Sequence, residues 1–447
     1  MSAARKTKHG LTHMQIVALG YFGVILVGTI LLALPLSSRD GTWTSLIDAV
    51  MTSTSAACVT GLIPVGTFAH WSLFGQIVLL LLIQVGGIGI MTLVAILTQI
   101  LRGTMSLNRR MVVMLSSGQD SLGGVSRLIR SILLFSLSFE AVGAFALSFR
   151  FIPQMGTADG IWNAVFHSVS AFCNAGFDLM GRFSQSSLTG YTGDVLVNVT
   201  VMLLILAGGI GFVVWQELFA VRFRLSKLSL HSKVVLVMTG VLFTAGTLLF
   251  YLFERNNAAI PLTPTERLLS AMFDAVTPRT AGFNTVDVAS LSDGSVALTI
   301  LLMVIGGAPG STAGGIKVTT LVVLLAGTIA SAQQVNATNI FRRRINGDLV
   351  RQASTVFTVY FCILSVSTVM ICAIEPFSLK EALFETTSAL SNVGMTLGIT
   401  ASLSAASKVI ISLLMYFGRV GMLSLVTALA AKRENVPITR PAENMLL

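Results

Sequence analysis

Apolar residues gather into long runs at 14–35, 72–101, 128–152, 194–221, 231–253, 296–330, 352–374 and 408–431. Each run can cross roughly 30 Å of hydrocarbon at about 1.5 Å per helical residue, so eight transmembrane helices are expected. The first, from Met14 to Pro35, follows a basic, polar start. It is too long for a signal-peptide core and lacks a convincing cleavage site, so it reads as a retained span. Between spans lie four shorter amphipathic stretches, 44–57, 161–172, 266–277 and 380–391. Their length is too small to cross. Each is an interfacial helix or a re-entrant half-helix, and a membrane accepts the latter only inside protein or beside water.

The order span, short helix, glycine loop, span occurs four times. The loops read Ala57-Cys58-Val59-Thr60-Gly61-Leu62, Phe172-Cys173-Asn174-Ala175-Gly176-Phe177, Pro278-Arg279-Thr280-Ala281-Gly282-Phe283 and Leu390-Ser391-Asn392-Val393-Gly394-Met395. Their glycines are 115, 106 and 112 residues apart. The second spans carry Gly86-Gly87-Ile88-Gly89, Gly208-Gly209-Ile210-Gly211, Gly306-Gly307-Ala308-Pro309-Gly310 and Gly418-Arg419-Val420-Gly421. The first glycine of each set follows its loop glycine by 25, 32, 24 and 24 residues. Small residues in one span serve helix packing; four matched pairs in register point to a functional repeat. The units divide the chain at 1–105, 106–224, 225–340 and 341–447.

Composition agrees with this picture. Hydrophobic residues make up 54% of the chain and charged ones 11%, with a mean hydropathy of +0.83. Soluble domains carry about 25% charged residues, so a polytopic membrane protein is expected. The net charge of +10 is explained by topology rather than nucleic acid. With a cytoplasmic N-terminus, 19 of the 29 basic residues, among them Arg5, Arg109, Arg130, Arg224 and Arg342-Arg343-Arg344, fall on the cytoplasmic side. Both termini are then cytoplasmic. The scattered histidines and cysteines form no metal or disulfide pattern. No HExxH, GxSxG or paired intramembrane aspartates occur, so an enzyme is not expected.

Four half-helices around one axis would set four loops side by side, with carbonyl oxygens able to replace a cation's hydration shell. Glycine adopts at little cost the positive φ that aligning those carbonyls requires. The helix C-termini facing the axis carry partial negative charge, which favours a cation. The segment 306–316 holds five glycines and a proline. Proline costs about 3 kcal/mol and glycine about 1 in a helix interior, so a flexible intramembrane loop is expected there. Non-helical backbone at that depth must line a cavity or be buried in protein.

These loops, the Gly-Gly-Ile-Gly spans, the Gly306–Lys317 segment and the Gly-Arg-Val-Gly segment together resemble the Trk/Ktr/HKT superfamily of potassium transporters. The resemblance covers nearly the whole chain. With no extra pair of spans before the first repeat, it is most similar to the KtrB-type ion-translocating subunits rather than the longer TrkH type. It implies an all-α protein with eight spans and four re-entrant pore helices around one pseudo-fourfold pore. The filter would be Val59, Thr60 and Gly61, with Cys58 at its inner edge, then Asn174, Ala175 and Gly176, then Thr280, Ala281 and Gly282, then Asn392, Val393 and Gly394. One glycine per loop implies fewer ordered ion sites than in a potassium channel. The gate would be Gly306, Gly307, Ala308, Pro309, Gly310, Ser311, Thr312, Ala313, Gly314 and Gly315, with Lys317 and Arg419 beside it. The implied activity is gated, sodium-stimulated potassium uptake in the cytoplasmic membrane of a bacterium. A homodimer is implied, as is a cytosolic KtrA-like ring that binds ATP or ADP; this chain itself needs no covalent cofactor and binds no nucleic acid.

Arg419 lies mid-span, where lipid exposure costs about 2.5–3.5 kcal/mol, so it faces the pore or pairs with an acid such as Glu140 or Glu217. Lys317 has room to snorkel toward the cytoplasm. Asp48, Asp274, Glu381 and Glu385 lie in or beside the short helices, where they could concentrate cations at the mouth. The tail from Glu434 to Leu447 is a candidate dimer or partner contact. The competing reading is a sodium- or proton-coupled transporter of another solute, a class that also uses broken helices; two inverted halves are its signature, whereas these four units run in one direction.

Overall fold

The structure, a computed structural model, describes residues 13–89, 125–184, 187–335, 337–341 and 343–421. Within them the chain is almost wholly helical: α1 His13–Ala33, α2 Leu46–Ala57, α3 Thr67–His70, α4 Leu73–Ile88, α5 Val125–Met155, α6 Thr157–Phe172, α7 Val195–Ile210, α8 Phe212–Ala220, α9 Leu230–Phe253, α10 Pro264–Val276, α11 Asp293–Val304, α12 Val318–Ala332, α13 Gly347–Ile374, α14 Leu379–Ser391 and α15 Ala405–Val420. One two-stranded antiparallel ribbon pairs Asn339–Ile340 with Arg343–Arg344.

Four helices, α1, α5, α9 and α13, are long and apolar enough to cross a membrane. They open the four repeats. Leu19, Phe22, Val142, Phe145, Val241, Leu248, Val366 and Val369 on them are exposed, as expected where hydrocarbon is the solvent. Each packs on the short helix that follows it: α1 on α2, α5 on α6, α9 on α10 and α13 on α14.

The second helix of each repeat starts in the same way. Side-chain oxygens of Ser72, Asp194, Ser292 and Ser404 accept the backbone N–H of Gly75, Val197, Ser295 and Ser407. Each thereby caps one N–H that the helix leaves free. From these caps to Gly86, Gly208, Gly306 and Gly418 the distance is 14 residues in every repeat. The register is therefore counted from the cap. The longer spacing in the second repeat arises before the cap, where the chain forms two 3-10 turns, Met180–Arg182 and Thr189–Tyr191, against one each in the third and fourth repeats.

The second spans expected over 72–101, 194–221 and 408–431 are not continuous helices, and the third, 296–330, is interrupted where the glycine-rich loop is expected. Helices α4, α7 and α15 stop at Gly89, Gly211 and Gly421, with φ of 87°, 96° and 93°. All three glycines stand 17 residues after their caps. Beyond Gly211 the chain continues as α8 at 91° to α7. In the third repeat α11 ends at Val304 and α12 resumes at Val318. At about 1.5 Å per residue, 12 to 16 residues cover roughly 18–24 Å, short of a bilayer. The later parts of 72–101 and 408–431 lie outside the described residues. So do Arg5, Lys6, Lys8, Arg102, Arg109, Arg110, Arg342 and the tail from Glu434.

Candidate functional site

The four glycine loops share one backbone trace. Two residues before each glycine, Val59, Asn174, Thr280 and Asn392 sit at φ of 57°, 58°, 75° and 54°. Gly61, Gly176, Gly282 and Gly394 follow at 98°, 68°, 79° and 93°. Left-handed backbone is a genuine outlier for β-branched Val59 and Thr280. Strain of about 1–3 kcal/mol per residue persists only where the surroundings over-determine it.

The surroundings here are the short helices. Their C-terminal ends deliver the chain into the loops, where Thr60, Ala175, Ala281 and Val393 donate back to Ser55, Ser170, Thr277 and Ser388 carbonyls at 2.8–2.9 Å. The same four side chains pin the outer half of each loop. Ser55 and Ser388 hydroxyls accept Gly61 and Gly394 N–H at 2.9 and 3.1 Å. Ser170 and Thr277 hydroxyls donate to Phe177 and Phe283 carbonyls at 2.7 and 2.5 Å. Nine residues before their loop glycines, two further groups hold the returning chain. His167 Nε2 accepts Leu179 N–H at 3.2 Å. Glu385 accepts the Thr396 hydroxyl at 2.7 Å and the Thr400 hydroxyl.

The glycines close a ring. A Cβ at Gly61 would stand 2.6 Å from Ala175 O, one at Gly176 2.9 Å from Ala281 O, and one at Gly282 2.5 Å from Val393 O. At Gly394 it would collide with Thr60 O. Each glycine thus abuts the carbonyl that precedes the next loop's glycine, and the fourth loop returns to the first. The Asn392 amide ties that last joint, donating to Thr60 Oγ1 at 3.0 Å and to Met415 O at 2.7 Å. Cys58 is buried at the C-cap of α2, with φ −87°, and so belongs to the helix end rather than to the strained trace.

The segment 305–317 packs against this ring from the side of the broken helix ends. It is pinned at both necks: Gly306 N–H donates to Ile316 O at 2.8 Å and Val318 N–H to Gly307 O at 3.1 Å. Ala308 and Thr312 N–H groups donate to Gly209 and Gly208 carbonyls at 3.0 and 3.3 Å, and Phe212 N–H to Gly310 O at 3.0 Å. The Thr312 hydroxyl reaches Phe172 O at 3.3 Å, at the end of α6. A Cβ on Gly314 would meet Asn392 Oδ1 at 2.7 Å. The segment therefore touches the second and fourth loops directly.

Arg419 is half-buried and pairs with neither Glu140 nor Glu217. It donates to Thr312 O in the segment and to Gly86 O in the first repeat. Glu140 instead accepts the Gln84 amide at 3.0 and 3.2 Å, and Glu217 accepts Ser229 N–H at 2.6 Å. Lys317 does not snorkel outward. Its ammonium turns back to Ala313 O at 2.7 Å, one residue from the carbonyl that Arg419 holds.

The acids expected to concentrate cations have local partners. Asp48 pairs with Lys408 at 2.8 Å, Glu381 completes a capping box with Ser378, Asp274 accepts Ser270 at 3.3 Å, and Glu385 is the buried clasp described above. Glu381 caps its short helix, Asp48 and Glu385 anchor theirs to neighbouring chain, and Asp274 bonds within α10. Arg279, in the third loop, is a buried cation at 6% exposure. Its place three residues after the end of α10 and three before Gly282 is the signal the sequence offers.

The sequence profile of the TrkH family, described as a cation transport protein, matches residues 9–436. The potassium/sodium uptake protein NtpJ of Enterococcus hirae is 39% identical, covering 99% of this chain and 99% of that protein. The Ktr system potassium uptake protein B of Bacillus subtilis is 38% identical over 95% of this chain and 94% of its own length. The crystal structure of the potassium transporter TrkH from Vibrio parahaemolyticus superposes with a TM-score of 0.74 at 20% identity, covering 95% of this chain and 87% of that one. It shares the fold. A helical, multi-pass chain with this profile and these full-length relatives belongs to the TrkH family of cation transport proteins.

Proposed function

We propose that this chain takes up potassium through a gated pore in the cytoplasmic membrane of a bacterium. The observation that carries the reading is the closed ring of four glycine loops, each with a left-handed residue two places before its glycine. Four backbone segments held this way present carbonyl oxygens to one small space, which suits a cation stripped of water. Cys58 to Gly61, Asn174 to Gly176, Thr280 to Gly282 and Asn392 to Gly394 are the filter and its inner edge. Helices α2, α6, α10 and α14 are its pore helices, aiming their C-terminal ends at the ion. Eight spans cross the membrane in four units, 1–105, 106–224, 225–340 and 341–447. Both termini are cytoplasmic.

Residues 306–315, with Lys317 and Arg419, are the gate. The segment fills the space against the ring, and Arg419 fastens it to the first repeat. Positive charge there opposes cation passage until the segment moves. Control comes from a cytosolic nucleotide-binding ring, with two copies of this chain assembled side by side, in keeping with relatives named for a Ktr system. Sodium stimulates uptake.

Rubidium uptake into liposomes holding the purified chain, with and without the cytosolic partner, tests the reading. Uptake competed by potassium far better than by sodium supports it. Uptake indifferent to potassium under both conditions rejects the filter.

A further inference from the structure

Arg279 is a cation inside the bundle that the filter and gate described above do not use. Among the described residues its guanidinium makes one long hydrogen bond, Nη2 to Thr239 Oγ1 at 3.4 Å. Its Nε is buried with no partner. Among the described residues no carboxylate lies within ion-pair distance of it. A guanidinium carries five N–H donors, and leaving buried donors unmade is costly.

The spare donors face something specific. Arg279 lines a small cavity of about 10 Å³, room for a single water, together with Thr239, Gly209 and Gly307. Gly208 and Gly209 belong to the last turn of α7, whose carbonyls have no partner within the helix because it breaks at Gly211. Their donors come from the 305–317 segment, through Thr312 and Ala308 N–H. Withdrawal of that segment orphans both carbonyls inside the membrane, where water cannot relieve them cheaply.

We propose that Arg279 is a gating residue, and that its guanidinium takes over the carbonyls at the broken end of α7, Gly209 first, when the 305–317 segment withdraws. The inference rests on the reading of that segment as the gate. In the closed state Arg279 is short of partners; in the open state the carbonyls are. One contact satisfies both, so Arg279 lowers the free energy of the conducting state.

The test uses the full chain carrying Ser311→Cys, expressed with its cytosolic partner in cells lacking other potassium uptake. Inside-out vesicles report modification of that cysteine by an impermeant thiol reagent, corrected for the parent chain. Rubidium uptake is measured in the same cells. Arg279→Met is expected to slow modification and uptake together by about tenfold, the worth of one charge-assisted hydrogen bond. Half-saturation for rubidium stays unchanged. Arg279→Lys recovers part of both. Thr239→Val removes the closed-state partner and raises both by about twofold.

Reduced uptake with an unchanged modification rate assigns Arg279 to supporting the filter and overturns the proposal. So does a Thr239→Val variant that lowers both readouts, or an Arg279→Met variant that alters neither. If Arg279→Met fails to reach the membrane, Arg279→Lys and Thr239→Val decide by their opposite signs. Deletion of 308–313 separates the two levels. If it leaves the pore as dependent on the partner as before, the gate reading falls and this inference with it. If the deletion frees flux while Arg279→Met leaves modification unchanged, only this inference falls.

Discussion

Replacing Gly282 by serine inserts a Cβ at a closely packed joint of the ring. That atom would stand 2.5 Å from Val393 O, 3.1 Å from Gly176 Cα and 3.2 Å from Gly394 Cα. All three are backbone atoms, so no side chain can turn aside. Ordinary contact begins near 3.4 Å, and the joint must open by about 0.9 Å. Serine also has to hold φ near 79°, which costs an L-residue about 1–2 kcal/mol. Relaxing either strain rotates or displaces the carbonyls that would meet the ion. If one of four carbonyl contacts is weakened by about 1.5–3 kcal/mol, the scale of a hydrogen bond to a charged group, preference for potassium falls by tenfold or more at 1.4 kcal/mol per decade. The assay is rubidium uptake into liposomes with potassium or sodium as competitor, wild type beside Gly282→Ser. Gly240→Ser is the control, because a Cβ there meets nothing within 4 Å and its φ is ordinary. Wild-type competition ratios for Gly282→Ser, at normal protein levels, would show that this ring does not choose the ion.

Arg419→Gln removes the charge and the fork that joins Thr312 O to Gly86 O; we expect uptake without the cytosolic partner to rise several-fold, measured as rubidium flux in partner-free liposomes, and no rise would remove Arg419 from the gate. Asp48 and Lys408 are 21% and 14% exposed and join the first repeat to the fourth. Lys408→Met leaves Asp48 without that partner and is expected to destabilise by about 3–5 kcal/mol, whereas Lys408→Met with Asp48→Leu recovers most of it; melting in detergent checks both. Glu375 lies just beyond α13, and hydrogen bonds from Ser404 and Ser407 hold its carboxyl below the usual carboxylate range. A depressed native value means that the contribution is present above the unfolded value and is lost as pH falls through the native one. Melting temperature should therefore drop more steeply on acidification for wild type than for Glu375→Gln; the effect is small because Glu375 is only partly buried.

The apolar runs located α1, α5, α9 and α13 within a few residues, because a long lipid-facing helix has a strong one-dimensional signature. The short helices were equally legible, being amphipathic and ending at the glycine loops. The breaks at Gly89, Gly211 and Gly421 were not. A hydropathy window averages over a single glycine, and nothing in composition separates a packing glycine from one at positive φ. The constant spacing from Ser72, Asp194, Ser292 and Ser404 would have exposed them, since a cap starts the count of turns that an apolar run only blurs.

The site divides along the same physical line. Loop glycines could be read directly, since positive φ leaves a residue-type signature. Val59 and Thr280 could not, because their strain comes from the ring and not from their own preferences. The charges misled for a related reason: a sequence shows that Arg419 and Lys317 are in the membrane but not which oxygens they meet. Acids were the expected partners, yet both cations bind backbone carbonyls of one glycine-rich segment. Such a segment cannot satisfy its own carbonyls as a helix would, so it offers acceptors wherever it bends. The same irregularity that leaves 305–317 outside any helix also recruits Lys317 and Arg419 to hold it. A cation that binds carbonyls keeps its net charge, whereas one paired with an acid is neutralised. Arg419 and Lys317 thus stand beside the ring with their charge uncancelled by any described carboxylate partner, which is the condition for a gate that repels cations until it moves.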